Sequence, residues 1–88
     1  MITCTQVSVG TTATKLCDIT SGLAAIISNG ATAIVLGTSN AVTTGNGAPL
    51  AIGAVTGRIE AGSDGGSLWA ITSAGTSVVG VILHRLQN

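Results

Sequence analysis

Aromatic side chains are almost missing from this chain. There is no Phe and no Tyr, and a single Trp, Trp69, stands among 88 residues. The core must therefore be built from Ala, Val, Ile and Leu. A leucine contributes roughly 1.5–3 kcal/mol when fully buried and an alanine much less. Charge is equally scarce. Lys15, Arg58 and Arg85 balance Asp18, Glu60 and Asp64, for a formal net charge of zero. No cluster of Lys or Arg is available to neutralise phosphates, which argues against a duplex nucleic-acid partner, and no acidic cluster is available for calcium. A neutral surface with so few charges is poorly protected from self-association.

Catalytic and metal-binding patterns are missing too. The only histidine is His84. As a general base it needs a nucleophile or acid partner, and its neighbour Arg85 points to the opposite face of a strand. An end-of-strand surface or interface histidine is the expectation. Cys4, Cys17 and His84 match no zinc spacing, and the two cysteines are expected to be thiols rather than a disulfide. Glu60 and Asp64 border a glycine turn, where acidic residues are usually solvated. Gly62–Gly66 lacks the Lys and helix of a phosphate loop and carries Asp64, which repels anions. No catalytic residue, metal or cofactor is therefore expected, and the chain is expected not to be an enzyme.

Mean hydropathy is positive, yet no apolar run approaches the roughly 18 residues of a spanning helix. Gly, Ser, Thr and Asn interrupt every candidate, so no membrane association is expected. The N-terminus has neither the basic nor the apolar region of a signal peptide, and the chain is expected to be made in the cytoplasm. Its length suits one domain spanning 1–88, with Met1–Thr5 as an N-terminal arm. A chain this short buries only about 60–65% of its unfolded surface, so oligomerisation would supply burial that the monomer lacks.

What is present is β-chemistry: Thr, Val, Ile and Gly in short alternating runs. The stretch Ala24–Leu50 is the organising piece. Apolar runs at Leu23–Ile27 and Ala33–Leu36 flank Asn29-Gly30, and Asn-Gly favours the positive φ of a type I′ turn, so this reads as a central hairpin. Thr3–Val9 alternates, with Val7 and Val9 on one face. Thr14–Thr20 alternates again, and Ser21-Gly22 closes it. Leu50–Ile52 and Ala54–Glu60 are short strands, and Ala61–Gly66 is a turn. Ser67–Ser73 sets Leu68 and Ala70 opposite Trp69 and Ile71. Thr76–Leu86 is the longest strand and the most apolar. About eight strands at such spacing predict an all-β domain: a small antiparallel β-sandwich, or a jelly-roll-like barrel.

Three features point outward. Trp69 either fills a thin core or serves as an interface anchor. The last strand presents Val79, Val81 and Leu83 on one side, either to a neighbouring subunit or to its own core. The uncharged loop Thr38–Ala48, with Val42, Asn46 and Pro49, is expected to project from the sandwich and meet a neighbour.

The order Val7-Ser8-Val9-Gly10-Thr11-Thr12-Ala13-Thr14, then Ile27-Ser28-Asn29, Val35-Leu36-Gly37, Val42-Thr43, Asn46-Gly47-Ala48-Pro49-Leu50 and Leu68–Thr76 resembles small β-structured virion proteins of tailed bacteriophages. These include capsid decoration and head-fibre-like subunits. The resemblance runs from about Val7 to Leu83. It implies no catalysis. It implies a virion location, a homotrimer bound to the major capsid protein, and stabilisation of the shell by area buried between capsomers. The alternative is a receptor- or carbohydrate-binding module of a tail or fibre, using Trp69 and exposed Asn and Thr.

Overall fold

The structure is a computed structural model, described for residues 2–19, 23–57, 59–60 and 66–85. These residues form eight strands and no helix: β1 (Ile2–Val9), β2 (Thr14–Ile19), β3 (Leu23–Ser28), β4 (Ile34–Gly37), β5 (Ala48–Leu50), β6 (Ile59–Glu60), β7 (Gly66–Thr72) and β8 (Ser77–Arg85). Six lie where the alternation of small apolar and polar residues places them. β5 sits two residues before the expected Leu50–Ile52, and of the expected Ala54–Glu60 the strand is Ile59–Glu60, because the chain turns at 52–53, where Gly53 has φ of 73°; Gly66, expected in a turn, begins β7. The turn expected at 61–65, Ser21-Gly22 and Asp64 lie outside the described residues.

Strand pairing explains how so short a chain makes a two-layered core. β1 pairs with β8, β2 with β7, β3 with β6 and β4 with β5, all antiparallel. These nested pairs are one long two-stranded ribbon whose tip is the loop 38–47. Each length of ribbon has one apolar face, and rolling it up lets that face cover itself. The roll is sealed by β3 against β8 and β4 against β7. The result is a sheet ordered β1-β8-β3-β6 facing a sheet ordered β2-β7-β4-β5, the arrangement of an eight-stranded jelly roll.

Between the sheets lie Val9, Leu16, Ile19, Ala25, Ile27, Ile34, Leu68, Ala70, Val79 and Val81. No aromatic ring is among them. On β1, β7 and β8 the inward residues follow strict alternation. β2 departs from it, because the register against β7 shifts between Lys15 and Cys17. That bulge turns both Leu16 and Ile19 inward, so strict alternation assigns them wrongly to opposite faces.

The ribbon bends where its two arms turn together. At one corner the N–H of Thr72 donates to the carbonyl of Gly10 (2.9 Å). At another, the N–H of Asn29 donates to Ala54 (2.8 Å) and that of Gly53 to Gly30 (3.2 Å). Gly75 and Gly53, one at each corner, have φ of 73°, a conformation in which a Cβ is strained.

Asn29-Gly30 is not the expected hairpin turn. β3 and β4 lie in different sheets, and neither Asn29 nor Gly30 has a positive φ. The chain crosses between sheets here because Ile27 and Ile34, both buried, belong to opposite walls of the core. Asn29 serves through its side chain. Its Nδ2 donates to the carbonyls of Leu50 and Ala51 (3.0 Å each). Its Oδ1 accepts from the N–H of Gly30 (2.8 Å) and the hydroxyl of Ser77 (2.7 Å). The amide thus joins the ends of β3, β5 and β8.

Two further expectations are corrected. Ile2–Thr5 is not a free arm: each residue pairs with β8, from Ile2 opposite His84 to Thr5 opposite Val81. Met1 lies outside the described residues. Val42 does not point outward from the loop 38–47, whose other residues are exposed. Val42 is buried in the space a side chain at Gly37 would need. Replacing Gly37 with Ala drives a methyl group into Val42. We expect a loss of about 1–3 kcal/mol, read as a lower urea midpoint with an unchanged slope; an unaltered midpoint would show that the loop is not seated there.

Candidate interaction surfaces

Each sheet has an outer face, and on both apolar side chains stand among uncharged polar ones, with Lys15 and Asp18 at the rim of one and His84 and Glu60 at one end of the other. On the β2-β7-β4-β5 sheet the outward residues of the central strands are Trp69 and Ile71 on β7 and Val35 on β4. Ile71 lies opposite Val35, which lies opposite Pro49 on β5. Trp69 lies between Lys15 on β2 and Gly37 on β4. Trp69, Ile71 and Val35 are half-buried and Pro49 is exposed. The indole N–H donates to the hydroxyl of Ser67 (3.0 Å), which fixes the ring edge and leaves its apolar body on the surface. Lys15 is held 2.8 Å from Asp18 at the rim of this face; the pair is exposed and contributes little to stability.

The outer face of the β1-β8-β3-β6 sheet carries Val78 and Ile82 on β8, 52% and 37% exposed, with Ile26 on β3 between the layers of exposure. Ile82 lies opposite Cys4 on β1 and Ile26 on β3, making an uncharged row across three strands. Ile2, 72% exposed, continues the same face at one end, beside His84.

The residues expected at an interface separate accordingly. Trp69 sits on an outer face and not in the core, and Pro49 is on the same face. Val79 and Val81 are fully buried between the sheets, and Leu83 packs half-buried against the core. In this chain those three cover its own interior, and the side of β8 open to a partner is Val78 and Ile82. Val42 is buried beneath its own loop. Asn46 is exposed, but its side chain is engaged within the loop, where Oδ1 accepts from the N–H of Thr43 (2.7 Å) and Nδ2 donates to Ala41 (3.2 Å). Sequence reasoning missed Val35, Ile71 and Ile82 as surface residues, although their parity with Trp69 and Val78 carried the signal.

Both cysteines are free thiols, Cys4 exposed on β1 and Cys17 half-buried on β2. Burial, and then the neighbouring Asp18 carboxylate, push the Cys17 thiol above its ordinary range, against a smaller opposing pull from Lys15. The folded state therefore favours the protonated thiol. Its contribution to stability is complete below the ordinary thiol range and is lost as pH rises through the raised value. Because the thiolate is the nucleophile, iodoacetamide at mildly alkaline pH should alkylate Cys4 at least about tenfold faster than Cys17. Equal rates, followed by mass spectrometry, would contradict the placement of Cys17. No group of three or more His, Cys, Asp or Glu side chains converges among the described residues. An apolar cleft opens between the sheets, lined by Leu36, Thr38, Ala48, Ile59 and Leu68.

The fold and these surfaces define a small all-β sandwich with apolar side chains on the outer faces of both layers. Comparison with known proteins gave no match to family models, curated sequences or solved structures.

Proposed function

We propose that the chain is a non-enzymatic structural subunit of a tailed-phage virion: a head decoration protein that binds the major capsid protein and stabilises the shell. The observation that carries this reading is the surface. A domain with six charged residues and apolar side chains on both outer faces has the chemistry of a part covered by other proteins. The sequence resemblance to small virion proteins points the same way and implies a homotrimer. The jelly roll adds support by analogy, since viral capsid domains use it among others. Trp69, Ile71, Val35 and Pro49 are the capsid-facing side in this reading.

Attachment through such a face is mainly apolar. Purified chain should co-sediment with capsids that lack it, and raising salt from low to moderate should change the bound fraction little, because few charge pairs are available to screen. Failure to co-sediment would refute the assignment, and a steep loss with salt would refute the apolar mode of attachment.

One observation favours the second reading, a carbohydrate- or receptor-binding module of a tail or fibre. Trp69 presents its ring outward, and lectin domains also use the jelly roll. Glycan-array binding that disappears in Trp69→Ala would favour it over the capsid role.

A further inference from the structure

The two sheets have four edge strands, and three carry features that deter pairing with another chain. β6 is two residues long, and β5 is three residues long and contains Pro49. β2 carries Lys15, Asp18 and a bulge. β1 has none of these. It runs for eight residues, Ile2–Val9, in unbroken register with β8, and contains no charge, no Pro and no Gly. Its far side meets no strand among the described residues. Such an edge offers a row of backbone N–H and C=O groups, and the group that satisfies them is another extended strand.

We propose that β1 pairs antiparallel with β1 of a second copy of this chain, about a twofold axis perpendicular to the sheet, so that two four-stranded sheets become one of eight strands. The strand suits itself as a partner. Opposed like charges, which disfavour self-pairing in most edges, are impossible in a strand with no charge. The axis keeps even-numbered residues opposite even-numbered ones, so Ile2, Cys4, Gln6 and Ser8 of both copies stay on one outer face. There Ile2 and the row Cys4, Ile82 and Ile26 of each copy meet an uncharged junction that also holds Gln6 and Ser8. An isologous contact of this kind closes at two copies. It does not rest on the virion reading and uses a different surface from Trp69, but it predicts even-order species where the resemblance implies a trimer, so a trimer as the sole assembly would overturn it.

Sedimentation velocity of the full chain over a wide concentration range, combined with hydrogen exchange, tests the pairing. Even-order assembly is expected, together with concentration-dependent slowing of those alternate β1 amides that do not face β8. The double variant Cys4→Lys/Gln6→Lys places like charges beside the axis on exposed positions, and should weaken association by about tenfold or more while keeping the strand content seen by circular dichroism. A monomer at every concentration, β1 amides that exchange independently of concentration, or an assembly indifferent to the two lysines would each overturn the proposal. If the double variant does not fold, the amide exchange of the unaltered chain decides.

Discussion

Replacing Asn29 with Ala should lower the melting temperature by roughly 15–25 °C, the largest effect of any single substitution considered. The side chain makes four hydrogen bonds, two given and two received, at the corner where β3, β5 and β8 end. Alanine takes the side-chain donor from the carbonyls of Leu50 and Ala51, of which Ala51 keeps the N–H of Ala54, and leaves the N–H of Gly30 and the buried hydroxyl of Ser77 without their acceptor. Each polar group orphaned in a buried setting costs about 1–3 kcal/mol. The Leu50 carbonyl and the Gly30 N–H are only partly buried and fall near the lower end, so with the Ser77 hydroxyl the sum is about 3–4 kcal/mol. A domain of this size has about 5–10 kcal/mol in total, so up to half or more of its stability rests on one amide. Asn29→Asp keeps the shape but not the donors, and turns a carboxylate toward two carbonyls; it should be as damaging as alanine. Ser77→Ala removes that bond and a longer one accepted from the N–H of Thr32 (3.5 Å), and should cost about 1–2 kcal/mol. The double variant should lose less than the sum, since the two share a bond. A melting temperature for Asn29→Ala within a few degrees of the original would show that the corner is held by other means.

The second large effect concerns binding. On the proposed decoration role, Trp69→Ala should weaken attachment to capsids by at least about 25-fold, the loss typical of a buried aromatic anchor, with only a small shift in melting temperature. The two effects separate because the ring is outside the core. Its neighbours on β7, Leu68 and Ala70, are the residues that close the space between the sheets. Trp69→Phe keeps much of the apolar area and loses the hydrogen bond to Ser67, so an intermediate loss is expected. If Trp69→Ala binds capsids as well as the unaltered chain, this face is not the contact.

Much of the strand content was legible because burial in a two-layered sandwich imposes a period of two. Val7 and Val9, Leu68 and Ala70, and Val79 and Val81 show it. The partnering of those strands was not legible. β1 pairs with β8 across nearly the whole chain, Ile2 opposite His84, and no local signal encodes a contact of that separation. Asn29-Gly30 misled for a related reason. Asn-Gly is a hairpin signal through its tolerance of positive φ, whereas here the amide group of Asn29 does the binding and the backbone crosses to the other sheet. The bulge in β2 was hidden because one extra residue is invisible in a short alternating run.

The surface was half legible. The placement of Trp69 depended on which side of β7 faced inward, and Leu68, Ala70 and Thr72 settle that. Val79 and Val81 were equally consistent with an interface and a core by composition, and the facing sheet takes them into the core. The inward placement of Val42 had one trace in the sequence: it is a lone bulky apolar residue in a polar loop, five positions after a glycine that leaves room for it.

The most direct test of the proposed virion role is electron cryomicroscopy of the particles produced by the genome that encodes this chain. The decoration role predicts density for a two-layered sandwich on the outer surface of the head, with the face bearing Trp69 turned toward the major capsid protein. Particles that lack the chain, or that carry it only on the tail, would contradict that role.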